Sequence, residues 1–380
     1  MAVYFDHNAT TPLHEKIFEA MQPYMGSVCG NPSSLHRFGR LQRQAIEQAR
    51  EQVAALMGAQ SSQVIFTSGG TEANNLMVKG LSMDTAVQRI AVSAIEHMSL
   101  LQPAAEVGCN VDQIAVDGQG LVTQESLKQA INKETVLVSV MAANNETGAV
   151  QDINKLAEEV RAHDIWFHTD ASQIAGKLEF SFEKTAVHAM TLSSHKLYGP
   201  MGAGALIVDK CLPMHSLLQG GSQEKGLRAG TENVPAIVGF GMAAELAAQE
   251  LIERADHVRV LRDALEKELM QLGVVKVFSQ QVRRLPNTLQ FGVQGFDGET
   301  LLMELDRRGF AVSSGSACTS GKTEPSHVLK AMAVPNQLAT SAIRVSLGRA
   351  NTMAEIERFI EAMKQIIGLS NSAVMMAANL

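Results

Sequence analysis

The residues able to do chemistry in this chain lie directly behind short apolar runs. Val64–Phe66 is followed by Thr67-Ser68-Gly69-Gly70-Thr71-Glu72, Ile90–Val92 by Glu96-His97, and Val136–Met141 by Asn144-Asn145-Glu146. Ile165–Phe167 leads into His168-Thr169-Asp170 and Gln173, and Ala189–Leu192 into Ser193-Ser194-His195-Lys196. Taken singly, each is ordinary. A Gly-Gly-Thr turn is usually just a turn, a lone histidine a hydrogen-bonded structural one, an aspartate after a strand a helix cap, and a lysine a solvated charge. Their common position changes the reading, because ligands of a parallel sheet bind beyond the carboxyl ends of its strands. Gathered there, they form a glycine turn opening a helix whose free N–H groups suit a phosphate, an imidazole, an amide, a carboxylate and a lysine.

That set meets the needs of pyridoxal phosphate: a lysine for the Schiff base, a carboxylate to keep the pyridine nitrogen protonated, and donors for the phosphate. An imidazole face to stack on the ring and an amide for its phenolic oxygen complete it. Nucleotide motifs fit worse. Gly199, Gly202 and Gly204 do not make G-x-G-x-x-G, and Gly315 to Gly321-Lys322-Thr323 puts five residues between its glycines where a P-loop has four.

Cys318 sits in Ser313-Ser314-Gly315-Ser316-Ala317-Cys318-Thr319-Ser320-Gly321-Lys322, between the run Phe310–Ser313 and a helix start expected at Glu324-Pro325. A structural cysteine is usually ringed by apolar side chains. A Ser/Gly/Thr loop is instead the setting of a reactive thiol, although a small residue in a tolerant loop gives the same composition. Cys29, Cys109 and Cys211 look incidental by their neighbours.

The elements that must position these groups follow from periodicity. Leu41, Ala45, Ile46, Ala49, Val53 and Leu56 form a helical stripe closed by Gly58, and another helical pattern, Ile153–Ala162, precedes the run at Ile165. Strands alternating with helices predict a mostly parallel sheet with helices on both faces. Beyond residue 250 the texture changes. A long charged helix pattern, Glu245 to Leu272, leads to Val274–Phe278, Asn287–Phe291, Phe310–Ser313, Ile343–Ser346 and a closing helix, Met353–Ile367. The expected division is a large domain over 14–250 and a small α+β domain made of 1–13 and 251–380, carrying the cysteine loop at about 314–324.

Composition narrows the class. The chain has 380 residues, 46% hydrophobic and 19% charged, which suits a packed globular protein. A net charge of −7 gives no whole-chain case for binding nucleic acid or an acidic membrane. No apolar run approaches the ~18 residues of a membrane span. MAVYFDHNATTP has neither a basic nor an apolar leader region, so no signal peptide is expected. Four cysteines far apart, with no C-x-x-C pair, predict a cytoplasmic protein without a disulfide framework or a zinc site.

In order along the chain, Asp6-His7-Asn8-Ala9-Thr10-Thr11-Pro12, Gly30-Asn31-Pro32-Ser33-Ser34-Leu35-His36, Thr67–Glu72, His168-Thr169-Asp170-Ala171, Ser193–Lys196, Arg228-Ala229-Gly230-Thr231-Glu232-Asn233 and Ser313–Ser320 resemble one family. It is that of cysteine desulfurases of the NifS/IscS type, within the class-V aminotransferases of the fold-type-I pyridoxal-phosphate enzymes. The resemblance covers residues 4 to about 367. It implies an α/β fold with a mostly parallel, seven-stranded-type sheet and a smaller α+β C-terminal domain, in a homodimer with both active sites at the interface. The implied reaction takes sulfur from L-cysteine, giving L-alanine and a persulfide on Cys318 for a sulfur-acceptor protein, an iron–sulfur scaffold or a thiolation protein.

The resemblance also implies roles. Lys196 carries the cofactor covalently, Asp170 pairs with the pyridinium nitrogen, and Gln173 and Asn145 lie near the phenolic oxygen and the substrate. His97 stacks on the ring and manages the proton of the substrate thiol. Gly70, Thr71, Ser193 and His195 bind the phosphate, and Thr231 reaches the phosphate of the neighbouring subunit. Arg344 clamps the substrate carboxylate, with Asn31 and Asn145 beside it in the substrate site. Two departures stand out: Pro200-Met201-Gly202 replaces a frequent Pro-Lys-Gly, and the tail Leu369 to Leu380 is short for docking a scaffold. The acceptor therefore stays open. The runner-up is a transaminase or selenocysteine lyase of the same family without persulfide chemistry, since transamination needs no protein thiol; the rival class is a non-enzymatic or nucleotide-binding α/β protein, which would be colourless.

Overall fold

The computed structural model describes residues 2–82, 89–314 and 325–377. Its strands, in chain order, are β1 (Val3–Tyr4), β2 (Val64–Thr67), β3 (Arg89–Ser93), β4 (Asn110–Ile114), β5 (Thr135–Ser139), β6 (Trp166–Asp170) and β7 (Ala189–Ser193). They continue with β8 (Gly204–Val208), β9 (Val275–Val277), β10 (Thr288–Val293), β11 (Phe310–Ala311), β12 (Ser313–Ser314) and β13 (Ile343–Ser346). Seven of them make one sheet in the order β2-β8-β7-β6-β5-β3-β4. The run from β7 to β4 is parallel, while β8 is antiparallel to both of its neighbours. This is the expected mostly parallel α/β sheet.

Alternation of side chains explains why helices cover both faces. Val64, Phe66, Ala205, Ile207 and Met190 join a core with Ile46, Val53 and Phe240 from the helices Arg37–Leu56 and Val234–Gln249. Ile65, Leu206, Val208 and Ala189, one residue out of phase, join a second core with Leu76, Met77 and Leu100 from the helices Gly70–Ser82 and Met98–Glu106.

A third core belongs to an antiparallel sheet of order β12-β13-β10-β9, packed against the helices Leu251–Met270 and Met353–Ala377. The N-terminal segment joins this part, because β1 pairs in parallel with β11 and Asp6 bridges Ser346.

Several boundaries differ from the sequence reading. The long pattern Glu245–Leu272 is two helices, Val234–Gln249 and Leu251–Met270, bent by 72°. The first buries Ile237, Phe240 and Ala244 against the large sheet, and the second buries Val258, Leu261, Leu265 and Leu269 in the third core. One straight rod cannot face both. Strand β6 runs on through Asp170, so His168 and Thr169 are buried strand residues rather than loop residues. Edge strand β4 escaped notice because most of its residues are polar or exposed. The run at Phe310–Ser313 splits into β11 and β12, which pair with different strands. The helix expected at Glu324-Pro325 begins at His327 behind its cap Ser326, and the closing helix extends to Ala377. Among the described residues no single helix is long and apolar enough to cross a membrane.

Candidate active site

The carboxyl ends of the parallel strands form the floor of the site. Strand β7 ends at Ser193 and passes into a 3-10 turn, Ser194–Lys196. Lys196 Nζ donates to the carbonyls of Asn8 and Ala9, the latter at 2.6 Å. Thr11 holds the same turn through two bonds to the His195 carbonyl, from its N–H at 3.0 Å and its hydroxyl at 2.8 Å. Residues 8–11 thus lie against the lysine turn. Burial, helped by the Lys196 charge, pushes the His195 pKa down to about 4, so its imidazole is neutral. A cleft bordered by Lys177, Lys196, Arg254 and Arg349 opens beside it.

Asp170 closes β6 and is buried. One carboxylate oxygen accepts from the Ser172 N–H at 2.9 Å, the other from Asn74 Nδ2 at 2.8 Å. His97 follows β3 and caps the helix Met98–Glu106; its Nδ1 meets the Ser99 N–H at 3.1 Å and the Ser99 hydroxyl at 2.8 Å. Burial lowers its pKa; Lys196 and His327 act in the same direction and Asp170 opposes them. Gln173 lies in the turn after β6. Its Nε2 donates to the Asn8 carbonyl at 3.0 Å, and its Oε1 accepts from Lys177 Nζ at 2.8 Å. Burial, with Lys196 and Arg344 nearby, lowers the Lys177 pKa well below that of a free amine.

At the opposite wall, Arg344 of β13 is buried. Its guanidinium donates to Asp6 Oδ1 at 2.6 Å and to the Asn145 carbonyl at 3.1 Å, while Nε has no partner among the described residues. The loop carrying Asn145 turns at Gly148, whose φ is +77° and where a Cβ would come within 2.9 Å of the Thr288 side chain. Only glycine suits both constraints. Behind it, burial raises the Glu146 pKa, and Gln290 Nε2 donates to it at 3.3 Å.

Gly70 and Thr71 open the 13-residue helix Gly70–Ser82. A Cβ on Gly70 would sit 3.2 Å from Ser172 Oγ and 3.5 Å from the buried Ser193. The helix terminus, Ser172 and Ser193 therefore surround a small recess, with N–H groups suited to an anion. Glu72 links this turn to Arg228 at 2.9 Å, which leads to Thr231. Thr231 and Asn31 are both exposed and apart from these bonds; Pro32, Ser33 and Glu232 border one shared groove. Asn31 closes its own turn by accepting from the Ser33 N–H at 2.8 Å. Cys318 lies outside the described residues.

Four contributors were not singled out from sequence. Asn74, Ser99 and Lys177 sit inside helical or turn patterns where nothing marks them. Asn8 is the densest junction: it meets Gln173, Lys177, Lys196, Asn145, Thr288 and Asn287. Its one signal was a polar Asn-Ala-Thr-Thr run with no helical pattern behind it.

Residues 3–359 match the model of the aminotransferase class-V family. The chain belongs to that family. It is 42% identical over 371 residues to a protein named cysteine desulfurase IscS from Dictyoglomus turgidum, covering 96% of this chain and 94% of that one. A solved structure titled NifS-like protein matches with a TM-score of 0.91 at 37% identity, over 97% of this chain and 100% of that one. Another, titled SspA in complex with cysteine, matches with a TM-score of 0.80 at 31% identity, over 92% and 99%. Like its family, this class-V protein is a pyridoxal-phosphate-dependent enzyme of fold type I. The residues present fit the cofactor. The recess at Gly70 suits an anion, Asp170 is a buried carboxylate held by Asn74 and Ser172, and Lys196 stands at the strand end next to the neutral His195.

Proposed function

We propose that this class-V enzyme is a cysteine desulfurase, converting L-cysteine to L-alanine and a persulfide on Cys318. The observation that carries the reading is the convergence of Lys196, Asp170, His97, Gln173 and the Gly70 recess on one set of strand ends. When bound, pyridoxal phosphate supplies an electron sink that makes the amino acid's Cα proton acidic and its Cβ–S bond labile. The chain supplies the rest. Arg344 receives the substrate carboxylate in a guanidinium fork that suits it. Lys196 would hold the cofactor and serve as the base that moves the Cα proton. Asp170, a buried carboxylate, would hold the ring nitrogen protonated, and the Gln173 amide would lie near the phenolic oxygen. Cys318, as thiolate, attacks the substrate sulfur. The Cβ–S bond breaks, its electron pair stays with the three-carbon fragment, and protonation yields alanine.

The finer reading has its own supports. Exposed Leu35, Phe38 and Leu41 beside Asn31, together with exposed Thr231, favour a homodimer in which these faces are covered. Separate hydrophobic cores favour a large domain over 14–250 and a small one over 1–13 and 251–380. Dispersed cysteines favour the cytoplasm. A persulfide needs an acceptor thiol, so the partner is a sulfur-acceptor protein of an iron–sulfur or thiolation system. The test is incubation of the yellow protein with L-cysteine: alanine appears and, with a reductant, sulfide. Full sulfide release by Cys318→Ser would overturn the persulfide role, and a fully active monomer in sedimentation would overturn the dimer.

A further inference from the structure

His97 is joined to Asp170 by an unbroken chain of hydrogen bonds that runs through two residues with no assigned part in the reaction. Asn74 is fully buried. Its Nδ2 lies 2.8 Å from Asp170 Oδ2 and 2.9 Å from Ser99 Oγ. Ser99 Oγ in turn lies 2.8 Å from His97 Nδ1.

The polarity of this chain follows from counting protons. A carboxylate only accepts, so the Asn74 amide must turn its NH2 group, not its oxygen, toward Asp170; the displaced Asn74 Oδ1 has no partner among the described residues. The same NH2 reaches Ser99 Oγ, which therefore accepts from Asn74 and has its own hydrogen to place. That hydrogen points to His97 Nδ1. The Ser99 backbone N–H also points there, at 3.1 Å. Nδ1 thus faces two donors and carries no proton of its own. A neutral imidazole must then be protonated on Nε2.

We propose that Asn74 and Ser99 are positioning residues that hold His97 as the neutral tautomer protonated on Nε2, with Asp170 as the anchor of the chain. The consequence reaches the reaction. Nε2 offers a hydrogen rather than a lone pair, so His97 is a donor to whatever lies against that edge. It does not take the substrate thiol proton there. The N-terminus of the helix Met98–Glu106, which His97 caps, further disfavours an imidazolium. The titratable groups acting on the ring are Asp170, which raises its pKa, and Lys196 and His327, which lower it.

This inference rests on the proposed function only for the purpose the chain serves. Cofactor content is read separately from visible absorption, so the two can fail independently. The experiment is nitrogen NMR of the holoenzyme labelled with 15N-histidine, with His97→Gln to assign the ring signals. At neutral pH, Nε2 is expected to show the protonated, pyrrole-type resonance and Nδ1 the pyridine-type one. The reverse pattern, or a doubly protonated ring, overturns the proposal. In Ser99→Ala, loss of one donor to Nδ1 should raise the His97 titration by about one pH unit, the size of one ordinary hydrogen bond. Ser99→Thr, which keeps the hydroxyl, should restore it. A purely structural role for Ser99 would leave the titration unmoved, and that outcome also overturns the proposal.

Discussion

Arg344 is bound to Asp6 at 2.6 Å, and through this contact the last strand of the small sheet is tied to the N-terminal segment that meets Lys196. The guanidinium also reaches the Asn145 carbonyl at 3.1 Å, and its Nε has no partner among the described residues. A planar fork offers a carboxylate two parallel donors while keeping internal bonds, a geometry that an ammonium lacks. Arg344→Lys should therefore raise KM for L-cysteine at least about tenfold, the effect of one charged hydrogen bond, with a smaller change in kcat. Steady-state kinetics on the variant decide this, and an unchanged KM would remove Arg344 from substrate binding.

Gly70 offers a test in which stability and affinity part company. In Gly70→Ala the added Cβ enters the recess 3.2 Å from Ser172 Oγ. Helix propensity favours alanine by up to about 1 kcal/mol. The apoenzyme should melt no lower than wild type while its affinity for pyridoxal phosphate falls about tenfold, an overpacking cost of roughly 1–3 kcal/mol. Cofactor titration beside a thermal melt reads both.

Glu96 predicts an alkaline loss of stability. Desolvation raises its pKa to about 8, so the folded state holds a proton that the unfolded state has released above its ordinary value near 4.5. Its contribution is full below that ordinary value and is lost as pH rises toward 8. His7, His168 and His195, each pushed down to about 4 chiefly by burial, act oppositely, but only between about 4 and 6.5. The window from 6.5 to 8 is therefore left to Glu96 among these groups. There the Glu96 contribution to stability should fall by at most about 1.4 kcal/mol per pH unit. Glu96→Gln should flatten that slope in denaturant melts taken at successive pH values, and an unaltered slope would assign it to another group.

The Arg50–Glu224 pair should be costly to break on one side. Arg50 binds both Glu224 oxygens, at 2.6 and 2.8 Å, and Glu224 also accepts from the Phe66 N–H at 2.8 Å. Both side chains are buried, and Glu224 and Lys225 adopt positive φ angles of 44° and 60° in the turn that leads to Arg228. Glu224→Ala should lose up to about 3 kcal/mol by leaving a buried guanidinium with only the more exposed Glu47 and the Val64 carbonyl as partners. The double variant Arg50→Met, Glu224→Leu should recover much of that in chemical denaturation. Equal losses in the two variants would mean that the ion pair itself, and not the stranded charge, carries the effect.

Much of the architecture could be read locally. Apolar runs of strand length flanked by helical stripes give the mostly parallel sheet, because burial on both faces demands runs such as Ala189–Leu192. The polar residues at their ends, Asp170, Gln173, Ser193, His195 and Lys196 among them, could be named before any coordinates, since chain direction in such a sheet dictates which ends meet. Other features were decided only in three dimensions. The pattern Glu245–Leu272 gives no hint of its bend, which arises because its two stripes face different cores. Asn8 and Asn74 look like any asparagine until residues 8, 74, 99, 170 and 196 come within hydrogen-bonding range. Hydrophobic periodicity reports which way a side chain faces within its own element. Which proton points at which acceptor depends on residues more than twenty positions away, and tertiary packing alone sets that.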